Sequence, residues 1–146
     1  ALAGFLVSHQ VDALICGGIG GGAQMALAQA GIRLFGGACG NADKAADWFF
    51  EKGVENVLIT LGGRGVYIAT KEKREILPAY RVKAIDTTGA GDAFNGGLVA
   101  GLAEGKDIWE SARFANALAA LSVQKLGTTP AMPWREEIDA FLRDHS

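Results

Sequence analysis

Short apolar runs that alternate with helical patterns, each pattern closed by a glycine, constrain the first sixty residues more than any other feature. Residues 11–16 are apolar apart from Asp12, the composition of a strand covered on both faces. Residues 17–22, five glycines and one isoleucine, break the chain, and the alanine-rich stretch 23–30 predicts a helix ended by Gly31. Residues 32–35 read as a second strand and 36–40 as a loop. Asn41 is placed to cap a helix over 42–52, with Ala45, Trp48 and Phe49 on one face and Gly53 at its end. Residues 57–60 form the third parallel strand of this reading, and residues 2–9 a short leading helix. Alternation of this kind is the mark of βαβ units, whose crossover helices cover a parallel sheet.

The rhythm changes after residue 60. Residues 65–70 and 74–77 predict a hairpin around the charged turn Lys71-Glu72-Lys73, and 80–85 alternate into a glycine-rich turn. Residues 90–103 keep helical spacing despite Gly91, Gly96, Gly97 and Gly101. Asp107 with Glu110 three residues on predicts a capping box opening a helix that runs to about residue 124. Pro133 takes the first position of a last helix, whose apolar stripe is Trp134, Ile138, Phe141 and Leu142. The expected fold class is α/β: a three-layer α/β/α sandwich, mainly parallel, with an antiparallel hairpin extension. A chain of 146 residues suits one such domain, residues 1–146.

Charge narrows the partners. The formal net charge is −2, spread evenly with no Lys/Arg run, which excludes a nucleic-acid footprint. No apolar run is long enough to span a bilayer, and no charged segment precedes an apolar stretch at the start, so no membrane partner and no leader are expected. Cys16 and Cys39 lack metal-ligand spacing and suit a reducing, cytoplasmic location as free thiols. His9 and His145 read as surface residues, and Trp48, Tyr67, Trp109 and Trp134 as core or edge packing. Arg64 reads as an exposed loop residue within reach of a phosphate. The run 17–22 is either a second anion cradle or a tight turn that lets strand and helix pack closely.

Chemistry concentrates in Asp86-Thr87-Thr88-Gly89-Ala90-Gly91-Asp92-Ala93-Phe94-Asn95-Gly96-Gly97. There an extended segment ends, glycines let backbone approach a ligand, and a helix begins. The amides of that first turn and the helix dipole make an anion site. Asp92 lies in the same turn, where a carboxylate beside a phosphate is suited to take a proton from an attacking hydroxyl.

This run resembles the motif of the ribokinase-type carbohydrate kinase family, and the similarity extends over residues 43–146. Thr60-Leu61-Gly62-Gly63-Arg64-Gly65-Val66 resembles that family's strand and turn beside the nucleotide phosphates. Phe114-Ala115-Asn116 and the helix after it resemble the element flanking adenine, and Lys125-Leu126-Gly127 with residues 133–138 resembles the C-terminal pattern. The resemblance implies Asp92 as catalytic base and the amides of Gly89, Ala90 and Gly91 as the anion hole. It implies Thr60, Gly62 and Gly65 near the phosphates and ribose of ATP, and Asn116 near adenine. It further implies Mg2+ with the nucleotide and a monovalent cation such as K+. That cation would be held by Asp86, the Thr88 carbonyl and carbonyls near Lys125 and Gly127.

The chain also departs from that pattern. Members of the family are about twice as long, and the sugar-contacting aspartate, the Gly-Gly-Lys-Gly motif and the β lid of their N-terminal half are absent. The Asn-x-x-Glu element that helps organise magnesium is absent too; Ile32-Arg33-Leu34-Phe35 stands in its place. Residues 1–42, through the run Gly17-Gly18-Ile19-Gly20-Gly21-Gly22-Ala23-Gln24, resemble instead the dinitrogenase iron-molybdenum cofactor family, with the changeover at residues 41–44. The expectation is therefore a chimeric scaffold, engineered or a natural fusion, that lacks catalysis but keeps weak binding of ATP, phosphate or sulfate at Gly89–Asp92. The first alternative is an ATP-dependent phosphotransferase of a small sugar with Asp92 as base. The second is an iron-molybdenum cluster carrier, for which only scattered sulfur and histidine ligands are available. Apolar sheet surface left uncovered would favour a homodimer.

Overall fold

A computed structural model describes residues 13–16, 25–26, 28–31, 33–36 and 41–145. The chain divides into two compact units, Ala1–Gly53 and Val54–Ser146. The predicted helix over 2–9, the run 17–22, His9 and Cys39 lie outside the described residues.

In the first unit, β1 (Ala13–Cys16) and β2 (Arg33–Gly36) pair in parallel, with Ala13 opposite Arg33 and Cys16 opposite Gly36. Parallel neighbours need a crossover, and helical residues at 25, 26, 28 and 29, ended by Gly31, lie between them. Helix α1 (Ala42–Glu51) starts as predicted: the Asn41 side chain accepts from the Asp43 amide at 2.8 Å. The cap fixes which face turns inward. Ala46 and Phe49 are buried and Trp48 is exposed, so the expected Ala45–Trp48–Phe49 face is corrected by a rotation toward Ala46.

The second unit carries β3 (Asn56–Thr60), β4 (Val66–Thr70) and β5 (Arg74–Leu77), in the order β3-β4-β5. Both pairings are antiparallel, with Thr60 opposite Val66 and Val66 opposite Leu77. This corrects two expectations. Residues 57–60 are not a parallel strand in any described pairing, and the described sheets are not mainly parallel. The reason is the turn after β3: a 3-10 turn over Gly62–Arg64, closed by the Leu61 amide on the Gly65 carbonyl at 2.7 Å, reverses the chain. The predicted hairpin from β4 to β5 is present. The Thr70 hydroxyl accepts from the amides of Glu72 (3.2 Å) and Lys73 (3.0 Å) to fasten it. Residues 80–85, though alternating, form no strand; among the described residues their backbone has no ladder partner.

Val66, Tyr67, Ile68 and Ala69 are all buried, so β4 is covered on both faces. Val66 and Ile68 pack in one cluster with Phe94 of α2 (Ala90–Ala103) and with Ala112 and Ala115 of α3 (Ile108–Ser122). Each aliphatic or aromatic side chain so buried stabilises by about 1.5–3 kcal/mol relative to exposure. Asp107 and Glu110 form the predicted capping box at the start of α3, with the Asp107 carboxylate accepting from Trp109 and Glu110 at 2.8 Å. Helices α2 and α3 cross closely because small residues meet: a Cβ on Gly97 would stand 2.8 Å from Ala115 Cα, and one on Gly101 2.9 Å from Ser111 Cα.

On another side of α3, Phe114 and Ala117 meet Ile138 of α4 (Arg135–Asp144), flanked by Phe141 and Leu142. The helix begins two residues after Pro133, not on it, because Trp134 is the cap residue and its amide donates to Glu137 at 2.6 Å. Trp134 is 79 % exposed, so it belongs to neither the apolar stripe nor the packing assigned to it. Arg135 pairs with Asp139 at 2.9 Å and with Glu104, and its guanidinium lies 5.1 Å from the Phe114 ring centre. No described helix is long and apolar enough to cross a membrane.

Candidate functional site

A cleft of about 430 Å³ opens within the second unit, between the end of β3, the segment after β5 and the facing ends of α2 and α3. Six residues singled out from sequence line it: Thr60, Gly62, Gly65, Ala90, Gly91 and Asn116. Asp86, Thr88 and Gly89, in the adjoining loop, and Asp92, in the first turn of α2, do not line the cleft.

Each position has a local cause. Gly65 has φ 103°, and a Cβ there would fall 2.0 Å from the Leu77 carbonyl oxygen and 2.6 Å from the Ala79 nitrogen, so only glycine lets the hairpin close under the cleft. Gly89 has φ 77° and caps α2 in the left-handed conformation, turning the extended backbone into the helix. The Ala90 amide donates to the Thr87 carbonyl at 3.2 Å and the Ala93 amide to the Gly89 carbonyl at 2.8 Å. Among the described residues the amides of Gly91 and Asp92 meet no acceptor, as expected of the first turn of a helix. Nothing beyond the helix's own first turn stands within 4 Å of a Cβ built on Gly91, which borders the cleft. Asp92 is exposed in the same turn.

Asn116 is 7 % exposed, and its side-chain amide donates to the Pro78 carbonyl at 2.8 Å. It therefore fastens the segment after β5 across the cleft as well as lining it. Asp86 does similar work at the other end. Its Oδ1 accepts from the Thr88 amide and its Oδ2 from the Gly127 amide, each at 2.9 Å. Hydrogen bonds from the Thr88 side chain, the Thr88 amide and the Gly127 amide hold this carboxyl below the usual carboxylate range. Arg64 is exposed and outside the cleft. Among the described residues no group of three or more His, Cys, Asp or Glu side chains could hold a metal ion.

Sequence reasoning missed the apolar lining: Val82, Ala84, Phe94, Ala119, Ala120 and Val123. An apolar floor with few polar groups is typical of small-molecule sites. The available signal was the absence of charge along the inward face of α3, which reads equally as core. Tyr80 also lines the cleft, packing edge-on to Phe141 at 5.0 Å, and burial pushes its phenol up while Arg113 draws it partly back.

Comparison with known proteins places this geometry. Over 102 residues the chain is 49 % identical to the ribokinase of Haemophilus influenzae, covering 70 % of this chain and 33 % of that protein. It is 44 % identical over 86 residues to the ribokinase of Bacillus subtilis, covering 59 % of this chain and 29 % of that one. The ribokinase structure from Thermotoga maritima superposes with a TM-score of 0.69 at 46 % identity, covering 70 % of this chain and 35 % of that one. That of Arabidopsis thaliana ribokinase complexed with ribose and ATP gives 0.65 at 34 % identity, covering 69 % and 33 %. The chain thus spans about a third of the length of these relatives. A family model for dinitrogenase iron-molybdenum cofactor matches residues 1–52. With a model for the pfkB family carbohydrate kinases matching residues 28–135, the chain belongs to that family.

Proposed function

We propose that this chain is a nucleotide-binding portion of a ribokinase-type carbohydrate kinase, which takes ATP or ADP in the cleft with its phosphates on the turn Gly89–Asp92. One observation carries the reading: Thr60, Gly62, Gly65, Ala90, Gly91 and Asn116, drawn from three separated motifs, line a single cleft. The fit is chemical as well as spatial. The unengaged amides of Gly91 and Asp92 suit an anion, and the apolar walls suit a base. Mg2+ would arrive with the nucleotide, neutralising charge between its phosphates. A monovalent cation would draw on Asp86 and the Thr88 carbonyl, although both Asp86 oxygens already accept amides. Asn116 would meet the base through its remaining carbonyl oxygen.

By itself the chain binds nucleotide without transferring phosphate to a sugar. Phosphoryl transfer depends on positioning both reactants away from water, and Asp92, exposed on its turn, supplies a base but neither of those conditions. The alternative is an active small-sugar phosphotransferase with Asp92 as base; phosphate transfer from ATP that Asp92→Ala abolishes would establish it. The same proposal reads residues 1–42 and 43–146 as two joined pieces, since a second family model matches at the start of the chain. It places the protein in the cytoplasm, with self-association through β5, whose Ile76 is 52 % exposed.

The test is calorimetric titration with MgATP of the parent and of Gly91→Val. A Cβ at Gly91 meets nothing beyond the helix's own first turn, so the variant should fold and lose binding by filling the phosphate's place. Equal binding by both would sink the reading.

A further inference from the structure

The glycine-rich turn that opens α2 has no rigidity of its own, yet an anion held by backbone amides needs them fixed to a few tenths of an ångström. One short segment, residues 123–128, holds the turn from behind. The Val123 carbonyl accepts from the amides of Ile85 at 2.7 Å and Asp86 at 3.1 Å. The Thr128 methyl packs beside Gly89, 3.1 Å from where a Cβ would lie. Between these contacts the Asp86 carboxylate bridges the Thr88 and Gly127 amides across 41 residues of sequence. The segment is itself anchored, since Lys125 pairs with Glu137 of α4 at 3.2 Å.

We propose that Asp86 is a positioning residue for the phosphate-binding turn, clamping it to Gly127 so that the amides ahead of Asp92 keep one spacing. The inference rests on the nucleotide reading for its ligand and on the two hydrogen bonds for its geometry. It differs from the cation-ligand role in a testable way. A clamp works whatever cation is present, whereas a ligand's removal matters only when the cation is there.

The experiment titrates the whole chain with MgATP and with adenosine, for the parent, Asp86→Asn and Asp86→Ala, in potassium and in tetramethylammonium chloride. Asparagine keeps one acceptor oxygen and alanine none. ATP affinity should therefore fall in that order, by roughly tenfold for each lost bond. Adenosine affinity should hold, and the ratios should be the same in both salts. A parallel loss of ATP and adenosine would show general loosening and overturn the proposal. A loss confined to potassium would overturn it in favour of the cation role. Amide hydrogen exchange, read by NMR, provides an arm independent of nucleotide. Exchange at Thr88 and Gly127, the two amides that Asp86 holds, should accelerate in Asp86→Ala and partly recover in Asp86→Asn. If the parent binds no ATP, the nucleotide reading fails and this arm decides alone: unchanged exchange at those amides overturns the clamp.

Discussion

The crossing of α2 and α3 makes a sharp demand on two of the four glycines within α2. Placing alanine at Gly97 sets its Cβ 2.8 Å from Ala115 Cα and 3.3 Å from Leu118 Cδ1. Placing it at Gly101 sets its Cβ 2.9 Å from Cα, Cβ and Oγ of Ser111. Backbone and Cβ atoms cannot rotate away, so the helices must part by roughly half an ångström to regain ordinary contact. Overpacking of this kind costs about 1–3 kcal/mol. Replacing a mid-helix glycine by alanine returns about 1 kcal/mol of intrinsic propensity. The net is a change between nothing and a destabilisation of about 2 kcal/mol for Gly97→Ala or Gly101→Ala, against a clear gain for a glycine with room around it. Both clashes are relieved by one displacement, so the double variant should lose less than the sum of the two. Gly96 is the control: a Cβ there meets nothing within 4 Å, so Gly96→Ala should stabilise by about 0.5–1 kcal/mol. Urea unfolding followed by circular dichroism reads all four variants, provided the slope m is unchanged. If Gly97→Ala stabilised as much as Gly96→Ala, the close crossing would be wrong.

Other perturbations test other levels. Ile68→Ala, at a fully buried site in β4 against Phe94 and Ala115, should cost about 2–5 kcal/mol by denaturant midpoint, and a loss below 1 kcal/mol would contradict the core assignment. Asp107→Ala removes the cap of α3 and should cost about 1 kcal/mol, whereas Asp107→Ser should restore most of it in the same denaturant assay. The Asp86 carboxyl is depressed by its bonds from Thr88 and Gly127, so its contribution is complete above the ordinary Asp value of about 3.9 and disappears as pH falls through the lower folded value. Urea midpoints measured from pH 5 downward should therefore fall less steeply for Asp86→Asn than for the parent; parallel curves would deny the linkage.

Caps and turns were the most legible parts of the fold because their chemistry is local. Asn41, the Asp107–Glu110 pair and the turn Lys71-Glu72-Lys73 each act within three residues, and each is where the spacing put it. Strand direction was less legible. Residues 57–60 are a short, mostly apolar run, which suits a parallel neighbour as well as an antiparallel one. Direction was set by the turn at Gly62–Arg64, whose glycines had been assigned to a ligand. Pro133 misled because proline is favoured at a helix's first position, while the Trp134 amide on Glu137 moved the start two residues on. At the site, the motif around Asp86–Asp92 and the residues Thr60, Gly62 and Asn116 were readable as types, and their convergence on one cleft was not. That convergence depends on the hairpin closing at Gly65 and on Asn116 reaching Pro78, contacts with no local pattern. The small-residue seam of α2 was hidden for the same reason, since Gly96 and Gly97 look alike until α3 is in place.

Binding of MgATP to the cooperatively folded chain is the most direct test of the central claim, with adenosine and inorganic phosphate titrated alongside. The account predicts that ATP binds, that phosphate competes with it, and that Gly91→Val loses ATP while melting at the parent's temperature. No heat with ATP from a parent that unfolds in one cooperative transition would mean that the cleft lined by Thr60, Gly91 and Asn116 is a feature of packing and not a nucleotide site.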